Sequence, residues 1–377
     1  MKKAVALILA ALMMGSALTA CSGGSSASSA APASSEAASA ASAAPASSAA
    51  ASSAAASTVA ASDVNIGVCI YKFDDTFMTG VRNNMTKEAS TLGVKLDIVD
   101  SQNAQPTQNQ QVDTFITKGV TALAINPVDA TAAAPLVEKA KAKGLPIVFL
   151  NREPAADILK GYDKTWYVGA PAAQSGTLSG QLIVNYFKAN KGADKNGDGK
   201  VQYVMLQGEP GHQDAVLRSQ YAPQAIKEGG YEPVCLQKGT AMWDKAKATD
   251  LMNNFITSQG VDKIEAVLAN NDDMALGAIE ALKAKGYNKG DKTKYIPVVG
   301  VDATAPALEA MKEGSMLGTV LNDAENQGKA TINIAAAAAQ GKEISKANIG
   351  YDVTDGKYIW IPYVQVTQDN YTTYMSK

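Results

Sequence analysis

The sequence contains a single histidine, three cysteines and only 6% aromatic residues among 377 residues. Cysteine pairs and the HExxH pattern, which commonly bind zinc, do not occur, and neither do the GxSxG and GxxxxGK[ST] motifs of hydrolases and phosphate-binding loops. The net charge of −2 provides no basic surface of the kind that nucleic-acid-binding proteins use. These absences argue against the most readily recognised enzyme classes and against a DNA- or RNA-binding protein.

Long hydrophobic runs are also missing after the first twenty residues, so no later segment is long enough to span a bilayer. The N-terminus has the layout of a secretory signal peptide over residues 1–20, with Lys2 and Lys3 preceding a short apolar region. The tetrad LTAC at residues 18–21 resembles a bacterial lipobox, which implies cleavage before Cys21 and lipidation of its sulfur. The alternative is an ordinary signal peptide followed by an incidental cysteine.

The segment of residues 22–62 is almost entirely alanine, serine and glycine, without a periodicity that could bury an apolar face. Together with Cys21 it reads as a disordered tether of residues 21–62, with a reach of roughly 35 Å. We therefore expect an extracytoplasmic protein anchored to the cell membrane, either on the outer face or in the periplasm.

Only two cysteines remain beyond the N-terminus. Cys69 and Cys235 could form a disulfide in an exported protein. However, both fall within apolar strand candidates that lie far apart in the chain, so we interpret both as buried small hydrophobic residues.

The remaining residues are too many for one core and suit two domains. Short apolar runs alternate with helical segments, a pattern typical of parallel α/β sheets. Predicted strands cover residues 64–70, 94–99, 122–125, 146–150, 166–168, 201–206, 232–236, 264–269 and 297–300. Predicted helices cover residues 77–92, 109–118, 130–143, 174–188, 214–228, 244–258 and 274–285. The fold class is α/β, with two similar units in series.

Polar or aromatic residues follow nearly every predicted strand, where open α/β sheets collect their ligands. Asp and Asn also favour turns and helix caps, so any single case could be structural. The residues that follow the strands are Asp74, Asp75, Phe77, Asn126, Asn151, Arg152, His212, Asp214, Arg218, Trp243, Asn270, Asn271, Asp272, Asp302, Asn322 and Asp323. Carboxylates, amides and arginine can bridge neighbouring hydroxyl groups, and flat rings can cover the C–H faces of a pyranose. A neutral polyol is therefore the predicted ligand.

Eight stretches carry a resemblance that covers nearly all of residues 64–377. They are IYKFDDTFM, DSQNAQPTQNQQVD, LAINPVD, GEPGHQDA, TAMWDKA, ANNDDMALGAIEALKA, GVDA and GTVLNDAENQGKA. They resemble the galactose- and glucose-binding branch of the periplasmic-binding-protein type I family, whose members deliver sugars to ABC permeases. The resemblance implies hydrogen bonds to the sugar from Asp75, Asn151, His212, Asp214, Arg218, Asn271, Asp302 and Asn322, with Phe77 and Trp243 on either side of the ring.

The same resemblance implies two Rossmann-like lobes joined by three crossover segments, near Gly169, near Asn322 and near residues 359–362. The N-terminal lobe would consist of residues 63–169 and 323–360, including a helix over residues 324–340. The C-terminal lobe would consist of residues 170–322 and 361–377. We expect a monomer that closes around its ligand and contacts an ABC sugar permease, with a chemoreceptor as a further possible partner.

A calcium site is predicted before the strand at residues 201–206. Asp194, Asn196, Asp198, Lys200 and Gln202 occupy positions 1, 3, 5, 7 and 9 of an EF-hand-like loop, with Lys200 supplying only its carbonyl oxygen. Position 12 is Met205 rather than glutamate, so locally the loop also reads as an Asx-rich turn. The family resemblance implies that Glu265 completes the shell around a structural Ca²⁺, and hard oxygen ligands argue against zinc.

Three other functions compete with sugar delivery. A glycosidase would use Asp75 and Asp302 as its carboxylate pair, but nothing in the sequence suggests a raised carboxylate pKa. A transcriptional regulator of the same fold would carry a basic helix-turn-helix segment, and this sequence does not contain one. A binding protein for ribose, xylose or another small molecule is the narrowest alternative.

Overall fold

A computed structural model describes residues 59–375. The signal peptide, Cys21 and the tether as far as residue 58 lie outside the described residues. The strands are β1 (Asn65–Ile70), β2 (Lys95–Asp100), β3 (Ala122–Ile125), β4 (Ile147–Leu150), β5 (Thr165–Gly169), β6 (Lys200–Gln207), β7 (Glu232–Thr240), β8 (Ala266–Ala269), β9 (Val298–Val299), β10 (Thr319–Leu321), β11 (Tyr358–Trp360) and β12 (Val364–Val366).

Eleven α-helices connect these strands within residues 59–375. They are α1 (Thr76–Leu92), α2 (Gln105–Lys118), α3 (Ala133–Ala142), α4 (Ala156–Lys160), α5 (Ala172–Ala189), α6 (Gln213–Glu228), α7 (Lys245–Gln259), α8 (Asp272–Ala284), α9 (Ala305–Lys312), α10 (Ala324–Ala339) and α11 (Lys346–Ile349). No helix in this part of the chain is long and apolar enough to cross a membrane.

The first sheet has six parallel strands in the order β11-β5-β4-β3-β1-β2. Its inner strands β1, β3, β4 and β5 are buried on both faces because helices cover each side, and alternate residues of β1 enter different cores. Val68 and Ile70 face the core under α1 and α10, whereas Cys69 faces the core under α2 and α3. Strand β11 and helix α10 reach this lobe from the far end of the sequence.

The second sheet has four parallel strands in the order β7-β6-β8-β9. Strand β10 continues beside β9 through parallel bridges between Val299 and Gly318 and between Asp302 and Leu321. Strand β12 pairs antiparallel with β10. The chain passes from the first sheet to the second after β5, returns after β10, and crosses again between β11 and β12. The predicted α/β fold with two parallel-sheet lobes is confirmed.

The prediction that Cys235 is buried is wrong. Its strand β7 is the edge of the second sheet, and the side chain of Cys235 is exposed. Cys69, in contrast, is fully buried at the centre of the first lobe, as predicted. Both cysteines are free thiols.

Several helices begin at a side-chain cap. Asp75 accepts a hydrogen bond from the backbone N–H of Met78 at 2.7 Å, and Asn271 accepts one from Met274 at 3.0 Å. Each cap satisfies an N–H group that the first helical turn would otherwise leave without a partner. Because each cap follows a strand directly, it lies at the carboxyl edge of its sheet, where the two lobes face each other.

Candidate functional site in the cleft between the lobes

One cavity lies between the carboxyl edges of the two sheets. Its lining includes all ten residues predicted to contact a sugar, together with three that were not in that set. The lining residues are Tyr71, Asp75, Phe77, Met78, Asn151, Arg152, His212, Asp214, Arg218, Trp243, Asn271, Asp302 and Asn322. The volume open to the centre of a water-sized sphere is about 30 Å³, so the walls lie close together.

Both lobes contribute to the walls. Asp75 and Phe77 follow β1, and Asn151 follows β4, so these three belong to the first sheet. The other seven predicted contacts, from His212 to Asn322, follow β6, β7, β8, β9 and β10 of the second lobe. Phe77 and Trp243 are both buried and come from opposite lobes.

Arg218 is the most extensively bonded residue of the cavity. Its guanidinium donates to Asp214 at 2.7 Å and to the Tyr363 hydroxyl at 2.8 Å. It also donates to the Asn270 carbonyl at 2.8 Å and to the Ser175 hydroxyl at 3.1 Å. The positive charge is thus fixed in one orientation, which is favourable for recognising a ligand with fixed hydroxyl positions.

Asp214 and Asp302 are buried carboxyl groups. Burial raises the pKa of Asp214, while Arg218 and Arg152 act in the opposite direction. Burial raises the pKa of Asp302 well above its usual range, against the opposing charge of Arg218 and with a smaller contribution from Asp272. The expectation that no carboxylate has a raised pKa is therefore wrong, because desolvation raises the pKa of both carboxyl groups.

His212 is held as a neutral imidazole. Burial lowers its pKa well below the usual range, and the charges of Arg152 and Arg218 add to this effect. Its Nδ1 accepts a hydrogen bond from the backbone N–H of Asp214 at 3.1 Å. A neutral ring that accepts at Nδ1 carries its proton on Nε2, so His212 can offer one donor to a ligand.

Trp243 packs edge-on against His212, with 5.0 Å between the ring centroids. Its backbone has φ of 62°, in the left-handed region that a bulky residue rarely adopts. A Cβ atom at Gly208 would lie 2.1 Å from the indole ring, so only glycine leaves room for the ring in this position. Asn151 and Asp302 also have positive φ values, of 60° and 122°. Backbone strain of this kind is concentrated at binding sites.

Asp75 is held on both carboxylate oxygens. One accepts from the backbone N–H of Met78, and the other accepts from the Tyr71 hydroxyl at 2.5 Å. The guanidinium of Arg152 lies 3.9 Å from the centre of the Tyr71 ring, in cation–π contact. Tyr71 and Met78 were not predicted as site residues. Tyr71 directly follows β1, and its position was the only available signal.

Side-chain contacts join the lobes across the cleft. Arg152 forms an ion pair with Glu209 at 2.9 Å, and both side chains are largely buried. The Thr76 hydroxyl donates to the carboxylate of Asp273 at 2.8 Å. The structure therefore corresponds to a closed arrangement of the lobes, and a hexose requires them to open before it can enter.

The five other residues that follow strands do not line the cavity. Asn126 bonds the Leu150 carbonyl and Asn151, and Asn270 accepts from the Gly208 backbone. Asp272 bonds Thr319 and Thr304, Asp323 caps α10, and Asp74 is exposed. For these residues the turn and cap interpretation applies.

The predicted calcium loop lies at the opposite end of β6. Asp194 accepts from the N–H groups of Gly197 and Gly199, as in an Asx-rich turn. Asn196 accepts from Asp198, and Asp198 accepts from Lys200 and Gln202. Within residues 59–375, no group of three or more His, Cys, Asp or Glu side chains is close enough to hold a metal ion.

Two observations nevertheless fit a cation at this loop. The Oε1 atom of Gln202 is buried without a hydrogen-bond partner. Burial raises the pKa of Glu265, and the charges of Asp194 and Asp198 contribute to this shift. A bound cation would relieve the repulsion between these carboxylates, and the donor set consists of hard oxygen atoms, which calcium prefers.

Comparison with known proteins defines the class. The profile of the periplasmic binding protein domain matches residues 66–343, so the chain belongs to the periplasmic binding protein family. It is a solute-binding protein and not an enzyme. It is 44% identical over 311 residues to the D-galactose/methyl-galactoside binding periplasmic protein of Haemophilus influenzae, covering 82% of this chain and 91% of the relative.

More distant relatives share the architecture. The ribose import binding protein of Bacillus subtilis is 31% identical over 288 residues, covering 75% of this chain and 84% of the relative. A solved ABC transporter solute binding protein from Bacillus halodurans, with bound myo-inositol, is 33% identical with a TM-score of 0.69. The match covers 84% of this chain and 98% of that structure.

Proposed function

We propose that this protein binds galactose or glucose in the cleft outside the cytoplasm and delivers it to an ABC importer. The observation that carries the proposal is the convergence of ten sequence-distant polar and aromatic residues on one cavity between two lobes. The similarity to a galactose-binding periplasmic protein supports the same ligand.

The chemistry of the walls favours a neutral hexopyranose. Asp75, Asp214 and Asp302 supply acceptors for hydroxyl donors, and Arg218 supplies the one N–H that its bonds to the protein leave free. Two aromatic residues, Phe77 and Trp243, come from opposite lobes and are suited to cover the two C–H faces of a pyranose. Burying a carboxylate is costly without partners, and the sugar hydroxyls would supply those partners when the lobes close.

Calorimetric titration of the full chain with galactose, glucose, ribose, xylose and myo-inositol tests the ligand. We expect a dissociation constant of about 1 μM or below for galactose or glucose, as suits an enclosed site with many hydrogen bonds. The other three compounds should bind much more weakly. Tightest binding to ribose, xylose or myo-inositol would replace the hexose with that compound. Incubation with labelled glucosides should show binding without turnover.

Membrane attachment through Cys21 is a separate part of the proposal, supported by the lipobox-like tetrad at residues 18–21. Expression with labelled fatty acid should label the wild-type chain and not Cys21→Ser. The variant should appear in the soluble extracytoplasmic fraction while its sugar affinity stays unchanged. Equal labelling and equal membrane retention of the two chains would contradict the anchor.

Calcium binding at the loop is the third part. Asp194, Asn196, Asp198, Gln202 and Glu265 would hold the ion with their side-chain oxygens, and Lys200 with its carbonyl. The ion would cross-link the loop before β6 to the start of β8. A chelator should lower the melting temperature of the wild type by several degrees and leave that of Glu265→Gln unchanged. An exposed Asx turn serves as the control: Asp291→Asn should retain the full chelator effect. A wild type that does not respond to chelator would exclude this site.

A further inference from the structure

The second lobe contains a cavity that is separate from the cleft. Its volume is about 770 Å³ for water-sized spheres, against about 30 Å³ for the cleft on the same measure. The two cavities share no lining residue. The larger one lies beside the predicted calcium loop, because Lys195 and Glu265 form part of its wall. Its size falls within the range of small-molecule binding sites. Because the cavity belongs to one lobe, a ligand can enter it without movement of the lobes.

Tyrosine rings form much of the wall. Tyr186 of α5 and Tyr295, just before β9, lie 5.7 Å apart between ring centroids, with their planes tilted by 52°. A third ring, that of Tyr287, faces the ammonium group of Lys195 at 5.6 Å. The floor includes the buried side chains of Pro297 and Met316. Such a wall offers flat apolar surfaces to a ring-shaped ligand.

The charged groups around this cavity are largely engaged within the protein. The Lys195 ammonium donates to the Ile264 carbonyl at 2.7 Å, and the Tyr287 hydroxyl donates to Asp262. Glu265 accepts from the backbone N–H of Lys195 at 2.7 Å and of Gln202 at 3.0 Å. Lys292 is exposed at the rim. Two basic and two acidic residues line the wall, so it favours neither an anion nor a cation.

Unlike these charged groups, the hydroxyl groups of Tyr186 and Tyr295 are not engaged within the protein. Both residues are partly buried, and neither hydroxyl has a hydrogen-bond partner among residues 59–375. Neither hydroxyl is among the fully buried polar atoms of the described residues, so both stay accessible and can exchange water for a ligand hydroxyl. The unused recognition groups of this cavity are therefore aromatic faces and neutral hydroxyls.

We propose that this cavity is a second carbohydrate site, which takes a neutral pyranoside independently of the cleft. Its C–H faces would lie on the tyrosine rings, and its hydroxyls would pair with Tyr186 and Tyr295. The volume is sufficient for a disaccharide, which the closed cleft cannot hold. This assignment goes beyond the transport function and does not depend on it.

The experiment uses the full chain saturated with galactose, so that the cleft is occupied, and then titrates cellobiose or glucose. Gly192→Trp is titrated in parallel, so that the signal from glucose displacing galactose in the cleft can be subtracted. Binding is followed by calorimetry and by saturation-transfer NMR. Gly192→Trp places an indole at a glycine that lines the cavity, and the position tolerates a side chain because a Cβ atom there meets no other atom within 4 Å and its φ is ordinary. Lys191→Trp is the matched control: this neighbouring residue is exposed and does not line the cavity.

We expect weak cellobiose binding to the wild type, with glucose binding more weakly still. Gly192→Trp should weaken cellobiose binding at least about tenfold, while Lys191→Trp leaves it unchanged. The double variant Tyr186→Phe/Tyr295→Phe should weaken it about threefold to tenfold, as expected for two lost neutral hydrogen bonds. Galactose affinity should be the same in all four proteins.

Two results would overturn the second site. One is the absence of any cellobiose or glucose signal from the galactose-saturated protein, and the other is a signal that Gly192→Trp leaves intact. Binding of indole without binding of either sugar would also reject the carbohydrate assignment. Failure of galactose to bind would contradict only the cleft function, because the effect of Gly192→Trp can be measured without galactose.

Discussion

Arg152 and Glu209 form a 2.9 Å ion pair between the two lobes, and their side chains are only 6% and 15% exposed. The same guanidinium donates to the Val128 carbonyl at 2.7 Å and covers the Tyr71 ring, whose hydroxyl bonds Asp75. A contact between the lobes is thereby connected, through Tyr71, to Asp75, which is predicted to bind the sugar. When the lobes open, both charges return to water, so the pair stabilises only the closed state.

Glu209→Gln should therefore weaken galactose binding by about tenfold to a hundredfold, because Arg152 would stay buried without a full counter-charge in the closed state. The loss should appear as faster dissociation in stopped-flow measurements, since the residue does not line the cavity. Glu313→Gln is the control, since it breaks the exposed 3.0 Å pair with Lys283. An unchanged dissociation rate in Glu209→Gln would show that the pair does not hold the lobes together.

Tyr71→Phe tests the orientation of Asp75. The variant keeps the ring over which Arg152 lies and removes the hydroxyl that donates to the carboxylate at 2.5 Å. We expect galactose affinity to fall about tenfold, the usual size for losing a hydrogen bond to a charged group. Tyr351→Phe removes a comparable bond to Asn326 in the same lobe and should not change the affinity. Equal galactose affinities for wild type and Tyr71→Phe would show that Tyr71 contributes packing and does not orient Asp75.

Gly208→Ala should displace Trp243, since the added methyl group would lie 2.1 Å from the indole. Overpacking of this kind costs about 1–3 kcal/mol, so galactose binding should weaken roughly tenfold or more. The tryptophan emission spectrum should shift as the ring moves. Gly192→Ala adds the same methyl group in open space and is the control. Wild-type affinity and an unchanged spectrum in Gly208→Ala would show that the ring is not fixed by this contact.

The sequence predicted the cavity better than it predicted individual roles. Parallel strands bring their carboxyl ends to one edge, so residues that follow strands converge whatever their function. That rule selected Asp75, Asn151 and Asp302, which line the cavity, but it also selected Asn126 and Asp272, which do not. The direction of each side chain depends on tertiary contacts that no local pattern encodes.

Asp272 shows a second consequence of such contacts. It is fully buried, and burial raises its pKa to about 7, although hydrogen bonds from Thr319 and Thr304 act in the opposite direction. Asp273 and Asp302 are the nearby carboxyl groups. A raised folded pKa means that the folded state binds more protons than the unfolded state between about pH 4 and pH 7, so stability falls as pH rises through this window.

Asp272→Asn removes this titration. The unfolding free energy of the wild type, relative to that of the variant, should fall by about 2 kcal/mol between pH 5 and pH 7. Urea denaturation at pH 5, 6 and 7, without sugar, measures the difference. Asp369→Asn provides the exposed control. A wild type and Asp272→Asn variant that keep a constant difference across these pH values would show that the carboxyl group is already ionised at pH 5.

Cys235 is exposed because its strand, β7, lies at the edge of the second sheet, and the sequence did not show this position. An apolar run predicts a strand but not its place in the sheet, and β7 has a neighbour on one side only. Strand order is decided by pairing between distant segments. For the same reason, the short strands β11 and β12 were not predicted as strands, because each has only three residues and depends on its partners.

The return of α10 and β11 to the first sheet affects how the molecule can form. That sheet lacks an edge strand, and α1 lacks its neighbour, until residues 324–360 have been made. The second lobe is similarly incomplete until β12 has been made and can pair with β10. A chain emerging from the ribosome therefore cannot complete either lobe until its last segments have been made.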